Sequence, residues 1–388
     1  MKVGIFGISL SSINYGVTAL GISQIKFLED SIKKCNKKVE YHIFSGENIE
    51  KIDELKKYLK INSEIIIERL INIRSGIKGI KDISNKVKEC DFIIDLTYGD
   101  SFSDIYGIKK FILYTVPKLI AISNKKTLII GPQTIGPYKS IISYILSKKI
   151  LNKASILCVR DKKSYNLAYK MTKRNDIKLT SDLAMELPFI ENKFESEKFK
   201  IGINISDLLW SNSNTENLKK YQIVVNYKEL VKKIIEKFDN EKYEIHLVTH
   251  VYEKDDSKGE YALAKNIHNL YPNTILAPKF NNPMEAKSYM SGLDLFLGAR
   301  MHATIGAFSS GVPIIPTSYS RKFEGLYGSL DYNYGINLRD TTIDRAISYI
   351  DECIENYNEM KINRDNSYKK ALEKNKIYHE LIDSIMKG

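Results

Sequence analysis

The sequence predicts an α/β protein made of two doubly wound, Rossmann-like domains in succession, facing a central cleft. Three observations carry this. Short β-branched runs alternate with longer helical patterns along most of the chain, the mark of parallel sheets. The alternation lapses at one polar stretch, FIENKFESEKFK (189–200), which has no apolar periodicity. The length of 388 residues suits two domains at roughly 100–200 residues each. The predicted boundaries are an N-terminal domain over 1–188, a linker over 189–199, and a C-terminal domain over 200–388 that ends in helices.

The first series of strands is VGIFGI (3–8), EYHIFS (40–45), SEIIIER (63–69), DFIIDL (91–96), TLIIGP (127–132) and SILCVRD (155–161). Helical patterns lie between them at 16–35, 105–123 and 139–152. The opening residues read as a strand and not as a leader. Gly4 and Gly7 interrupt the apolar run, and SSINYG follows where a small-residue cleavage site would be needed. The second series is KIGINIS (200–206), EIHLVTH (244–250), NTILAP (273–278), LDLFLG (293–298) and PIIPTS (313–318). The tail, 341–387, reads as helix with a break near Asn363. No internal repeat or low-complexity segment appears.

Composition narrows the function classes. With 43% hydrophobic and 27% charged residues, wholesale disorder is excluded. Cys35, Cys90, Cys158 and Cys353 are far apart and form no CxxC pair, so neither a zinc finger nor a disulfide framework is expected. A reducing, cytoplasmic setting fits. No run of about 18 apolar residues occurs. The formal charge of +12 comes from lysines spread throughout. A solvated surface explains them most simply. Their functional reading is attraction to anions: phosphorylated small molecules, acidic glycans or an anionic membrane face. No finger, RNP-type motif or basic-aromatic stripe points to nucleic acid.

In doubly wound sheets the ligand lies beyond the carboxyl ends of the strands, so the residues after each strand are the candidates. After the first strand, Gly16 stands where a helix would begin, with neither GxGxxG nor GxxxxGK[ST], which argues against a nicotinamide cofactor and a P-loop nucleotide. After the fourth, TYGDSFSDIYG places Asp100 and Asp104 around a hydroxyl-rich turn. One of them either caps the next helix or acts as a carboxylate that binds or deprotonates a sugar hydroxyl. Gln133 lies in the glycine- and proline-bounded turn GPQTIGP. Arg160 and Asp161 either pair or cap a helix, or Arg160 holds a carboxylate or phosphate.

The sharpest segment is LDLFLGARMHATIGAFSSGVPIIPTSYSRKFEG (293–325). It puts Arg300 and His302 between a strand end and a helix start, where free N–H groups and the dipole favour an anion. Ser318, Arg321 and Lys322 follow at the next strand end. His250 closes another strand; the acidic run after it, Glu253, Asp255 and Asp256, reads as a solvated helix start more than a metal site.

With these residues assembled, the chain resembles the polysaccharide pyruvyl transferase family. The matching segments, in the family's order, are NYG (14–16), GDSFSDIYG (99–107), GPQTIGP (131–137), VRDKKS (159–164), SDLA (181–184), TH (249–250), ARMHATIGA (299–307) and the loop around Lys322. Departures fall at Val17, at Tyr98, where the family often has a further glycine, and at Met301. The resemblance implies a GT-B-like fold. It also implies transfer of a pyruvyl group from phosphoenolpyruvate to a sugar of a cell-surface glycan or its lipid-linked precursor, giving a cyclic ketal and phosphate. On that reading His302 is the acid at the enol methylene, Asp100 or Asp104 the base, and Arg300, Lys322, Arg160 and Arg321 hold the donor's anionic groups. Gln133, His250 and Ser318 complete the binding set. No metal is expected, and phosphoenolpyruvate is co-substrate and not cofactor. An anionic membrane surface at the inner face of the cell membrane is a further expected partner. Two rivals share the architecture: a GT-B glycosyltransferase with a nucleotide-sugar donor, and a glycan-binding module without catalysis.

Overall fold

The computed structural model describes every residue except 36, 46–48, 70–75, 211–221, 239, 240, 254, 256, 319, 320 and 388, and only the backbone of 49–51, 69, 321 and 322. The chain divides into two compact units. The first comprises Met1–Ser12, Val17–Leu183 and Ala371–Gly388; the second comprises Ile13–Gly16 and Ala184–Lys370.

The first unit carries a seven-stranded sheet of β1 (Lys2–Phe6), β2 (Glu40–Ser45), β3 (Glu64–Arg69), β4 (Phe92–Asp95), β5 (Thr127–Ile130), β6 (Ile156–Val159) and β7 (Lys178–Leu179). Its spatial order is β3-β2-β1-β4-β5-β6-β7, and every pairing is parallel. The direction of winding reverses between β1 and β4, the position at which such sheets open a crevice. The strands read as continuous apolar runs because both faces are covered. Ile93, Leu128 and Leu157 share one core cluster with Val87, Phe111, Leu151 and Ala168 from four helices. Burying Phe111 or Leu151 completely contributes about 1.5–3 kcal/mol each.

The second unit repeats the plan with six strands: β8 (Phe199–Asn204), β9 (Tyr243–Val248), β10 (Ile275–Leu276), β11 (Leu295–Gly298), β12 (Ile314–Ser318) and β13 (Ile336–Asn337). The order is β10-β9-β8-β11-β12-β13, again all parallel, with the reversal between β8 and β11. Both units are therefore doubly wound, as the sequence predicts.

The differences from expectation have physical causes. The sequence does not show β7 and β13: each is a two-residue edge strand with a single apolar residue (KL and IN), whereas the equally short β10 (IL) lies in the readable run NTILAP. The tail breaks at Asn356 and not at Asn363. Asn356 caps the helix Ile343–Glu355, and a second helix, Tyr357–Lys387, runs through Asn363. The linker stretch is anchored within the second unit. Ile190 N–H donates to Ser288 Oγ and Asn192 N–H to Ser291 Oγ, while Phe194 packs on His246 and Tyr289. It is held through backbone donors, so it needs no apolar stripe. The sequence places the last helix with the C-terminal domain, yet from Ala371 onward it belongs to the first unit. There Tyr378 is fully buried with its hydroxyl donating to Gln24, and Asn375 accepts from Ser181 N–H at 2.9 Å.

Candidate functional site

In the second unit the polar groups gather where β8, β9 and β11 end. Asn204, the last residue of β8, is fully buried. Its amide donates to Val248 O on β9 at 3.1 Å, and its Oδ1 accepts from Arg300 N–H at 2.9 Å, so one side chain ties three strand ends together. Arg300 is the N-cap residue of the helix Met301–Ser309, and His302 lies in that helix's first turn. The Arg300 guanidinium contacts Glu260 Oε1 through both Nε, at 2.7 Å, and Nη2, at 2.6 Å. Glu260 stands in the first turn of the helix Gly259–Leu270 and is buried. Burial pushes its carboxyl up, opposed by Arg300 and by the backbone N–H groups of His250 and Val251. Arg300 thus has one side committed to Glu260 while its side chain keeps 29% exposure.

The segment Ile13–Gly16 forms part of this cluster. Asn14 makes an antiparallel bridge with Val251, and the Tyr15 hydroxyl donates to Phe280 O. Tyr15 stands edge-on to His250 with ring centroids 5.8 Å apart. Gly16 is required by crowding: a Cβ there would lie 2.2 Å from His302 Nδ1. The glycine that the sequence offers as an ordinary turn residue is the floor under the His302 ring.

His250 is buried, and its pKa is pulled down to about 3, first by burial and then by His302 and Arg300. The imidazole is neutral at ordinary pH. A pH dependence follows. Below about 6.5 the unfolded histidine takes a proton while the folded one does not, so stability falls as pH drops from 6.5 toward 3. Between pH 7 and 4.5, His250→Gln is expected to lose about 2–3 kcal/mol less than the parent. Urea midpoints at the two pH values check this, and parallel losses in both proteins would remove His250 from the acid limb.

In the first unit the corresponding cluster is at the ends of β4, β5 and β6. Asp95, the last residue of β4, is almost wholly buried and pairs with the equally buried Lys118 at 2.9 Å. Its other carboxylate oxygen accepts from Thr97 Oγ1 at 2.6 Å and Gln133 Nε2 at 2.9 Å. Burial pulls the Lys118 ammonium below the ordinary lysine range, against the pull of Asp95. The turn that follows is strained. Thr97, Tyr98 and Gly99 all have positive φ, at 35°, 53° and 81°, and such a conformation in non-glycine residues costs of order 1–3 kcal/mol each. Tyr98 is the position at which the family often has glycine. Gly7 permits the turn, since a Cβ there would be 2.3 Å from Thr97 N. Hydrogen bonds from Gly99 N–H to Leu96 O, from Ser101 N–H to Thr97 O and from Thr134 N–H to Gly99 O hold it.

The predicted residues fall into distinct roles. Asp104 accepts from the N–H groups of Lys139 and Ser140 at 2.7–2.9 Å. Burial would raise its pKa, yet those donors hold it below the usual carboxylate range. Asp104 is therefore fastened to the start of the next helix. Asp100 is more exposed and accepts from the Tyr106 hydroxyl at 2.9 Å. Arg160 is buried, with Nη1 on Asp182 at 2.6 Å and Nε on Thr134 Oγ1 at 2.9 Å. Asp161 caps its helix by accepting from Ser164 N–H. Gln133 is wholly buried, with its amide spent on Asp95. Ser318 ends β12 and is buried, its carbonyl accepting from Leu338 N–H. The side chains of Arg321 and Lys322, like Asp256, lie outside the described residues. Sequence reasoning missed Asp95, Lys118, Asn204 and Glu260. Three of these carried a signal: Asp95 and Asn204 end predicted strands, and Lys118 is a lone charge inside the apolar run YTVPKLIAIS.

Two Rossmann-like units, each with a polar cluster at its switch point, define the GT-B class of architecture. Solved structures bear this out at the level of fold. UDP-GlcNAc 2-epimerase from Neisseria meningitidis, determined with UDP-GlcNAc, superposes with a TM-score of 0.59 at 14% identity, covering 98% of this chain and 100% of that one. S. aureus MnaA with UDP gives 0.60 at 10%, covering 100% and 97%. Anabaena HepE with UDP-glucose gives 0.58 at 12%, covering 99% and 100%. No curated protein matches the chain. The sequence model of the polysaccharide pyruvyl transferase family matches residues 22–321, and the chain belongs to that family of transferases. Among the described residues no helix is long and apolar enough to cross a membrane.

Proposed function

We propose that the protein transfers the pyruvyl group of phosphoenolpyruvate to two hydroxyls of a sugar in a cell-surface polysaccharide or its lipid-linked precursor. The observation that carries the reading is the pairing of Arg300 and His302 at one helix start beside the β8/β11 reversal, in a chain of this family. Phosphoenolpyruvate bears a phosphate and a carboxylate. Arg300, with Lys322 and Arg321, supplies the positive groups they need, and Glu260 fixes the guanidinium's plane. His302 gives a proton to the enol methylene, which makes carbon 2 electrophilic. His250, kept neutral, adds no further charge beside it.

The first unit takes the acceptor. Asp104 is spent on backbone donors, so Asp100 is the base that accepts the attacking hydroxyl's proton. The sugar oxygen bonds to carbon 2; the carbon–oxygen bond to phosphate then breaks and a second hydroxyl closes the ring, its proton returning to His302 while Asp100 releases the first to the departing phosphate. Inorganic phosphate and a cyclic ketal result. Phosphoenolpyruvate is consumed as co-substrate, and the scheme calls on no metal or other cofactor. Arg160 and Gln133 act on the turn through its neighbours: Arg160 Nε donates to Thr134, whose N–H donates to Gly99 O, and Gln133 donates to Asp95, which accepts from Thr97 Oγ1. An acceptor carried on lipid would put the work at the inner face of the cell membrane.

Calorimetric titration with phosphoenolpyruvate, UDP and a UDP-sugar tests the donor. Binding of phosphoenolpyruvate alone is expected, weakened at least about tenfold in Arg300→Ala, because a charge-assisted contact is lost. Binding of the nucleotide ligands alone would replace this reading with glycosyl transfer. Binding of none would favour a glycan-binding module.

A further inference from the structure

Three helices of the first unit, Ile108–Ser123, Ile141–Lys153 and Lys162–Thr172, pack side by side and carry nine lysines with no carboxylate. Lys118 is the buried one; the other eight are exposed. At the start of the middle helix, Ile141, Ile142 and Ile145 are 77%, 60% and 58% exposed. Ile105, Tyr106 and Ile108, also exposed, join them at the same end. The reason is Asp104, whose carboxylate fastens their loop to the backbone of Lys139 and Ser140; the Phe102–Ile135 bridge runs alongside.

One exposed isoleucine needs no explanation, but six large apolar side chains gathered at one edge do. Lysines border them: Lys109, Lys110, Lys139, Lys148 and Lys149. We propose that this face docks on an anionic lipid bilayer, with the isoleucines entering the headgroup boundary and the lysines meeting lipid phosphates. Charge complementarity selects the occupant. Lysine is depleted in protein–protein interfaces, which argues against a protein partner. A nucleic acid would use the lysines and leave the isoleucines in water, whereas a bilayer uses both kinds of group at once. The docking claim is independent of the donor assignment. Its functional meaning rests on the proposed reaction: Tyr106 donates to Asp100, so the face ends at the carboxylate assigned to a lipid-linked acceptor.

Co-sedimentation of the full chain with phosphatidylcholine vesicles, with and without phosphatidylglycerol, tests this. The protein is expected to bind the anionic vesicles and only weakly the neutral ones. The Ile141→Ser/Ile142→Ser/Ile145→Ser protein and the Lys148→Glu/Lys149→Glu protein are each expected to lose at least about tenfold in partitioning. A control, Lys56→Glu/Lys57→Glu in the separate lysine cluster near Asp53 and Asn62, should stay within about twofold of the parent. Failure of the parent to bind anionic vesicles would overturn the proposal. So would an equal loss in the control, or retained binding in the serine variant. All substituted positions are exposed except the half-buried Lys56, and unchanged circular dichroism confirms folding. Phosphoenolpyruvate titration of the same variants should be unaltered, which separates a failure of docking from a failure of the donor assignment.

Discussion

His302→Ala is expected to lower pyruvyl transfer by about 10²–10⁴-fold, the usual worth of a positioned general acid. The ring stands in the first turn of its helix against Gly16, and Arg300 is two residues away. Donor binding should survive better than turnover, because Arg300 remains. Phosphate released from phosphoenolpyruvate with a membrane-derived acceptor fraction gives the rate, and calorimetry gives the donor affinity. Near-normal release would remove His302 as the acid. Gly16→Ala makes a companion test: it keeps the histidine but drives a methyl into its ring. It should therefore reduce turnover even though no reacting group has been removed.

Lys118→Met is expected to destabilise the first unit by about 3–5 kcal/mol, the range for breaking one side of a buried ion pair. The Asp95 carboxylate would be left in the interior with only Thr97 and Gln133 as hydrogen-bond donors. Restoring neutrality in the Asp95→Asn/Lys118→Met protein should recover much of that loss, since no uncompensated charge remains. Urea unfolding followed by circular dichroism reads both. A single variant within about 1 kcal/mol of the parent, or a double variant no better than the single, would show that the pair is not what holds this end of the sheet.

The strands were legible because parallel strands covered on both faces are written as apolar runs. The eleven predicted strands all appear, while β7 (KL) and β13 (IN), with one apolar residue each, leave no such trace. The candidate site was only half legible. Arg300 and His302 stand out because two charged or titratable groups follow an apolar strand directly. Their partners do not stand out: Glu260 is forty positions away from Arg300 and looks like any acidic residue at a helix start. Asp100 and Asp104 read alike in sequence. What separates them is that the N–H groups of Lys139 and Ser140, thirty-five residues on, point at one and not at the other. Pairing across such separations is a property of the folded chain, not of local spacing.

The division of the chain bears on how it can be cut. The first unit is assembled from three stretches and the second from two. A fragment ending near 188 would lack the helix that brings Tyr378 and Asn375 into its interior, leaving Gln24 and the Ser181 N–H without those partners. Its complement would lack Tyr15 and Gly16. Joining the two ends of the polypeptide and opening it before Ala371 would make the first unit nearly one continuous stretch, 371–388 followed by 1–183, interrupted only at Ile13–Gly16. Circular permutation, more than truncation, is the way to isolate either half of this protein.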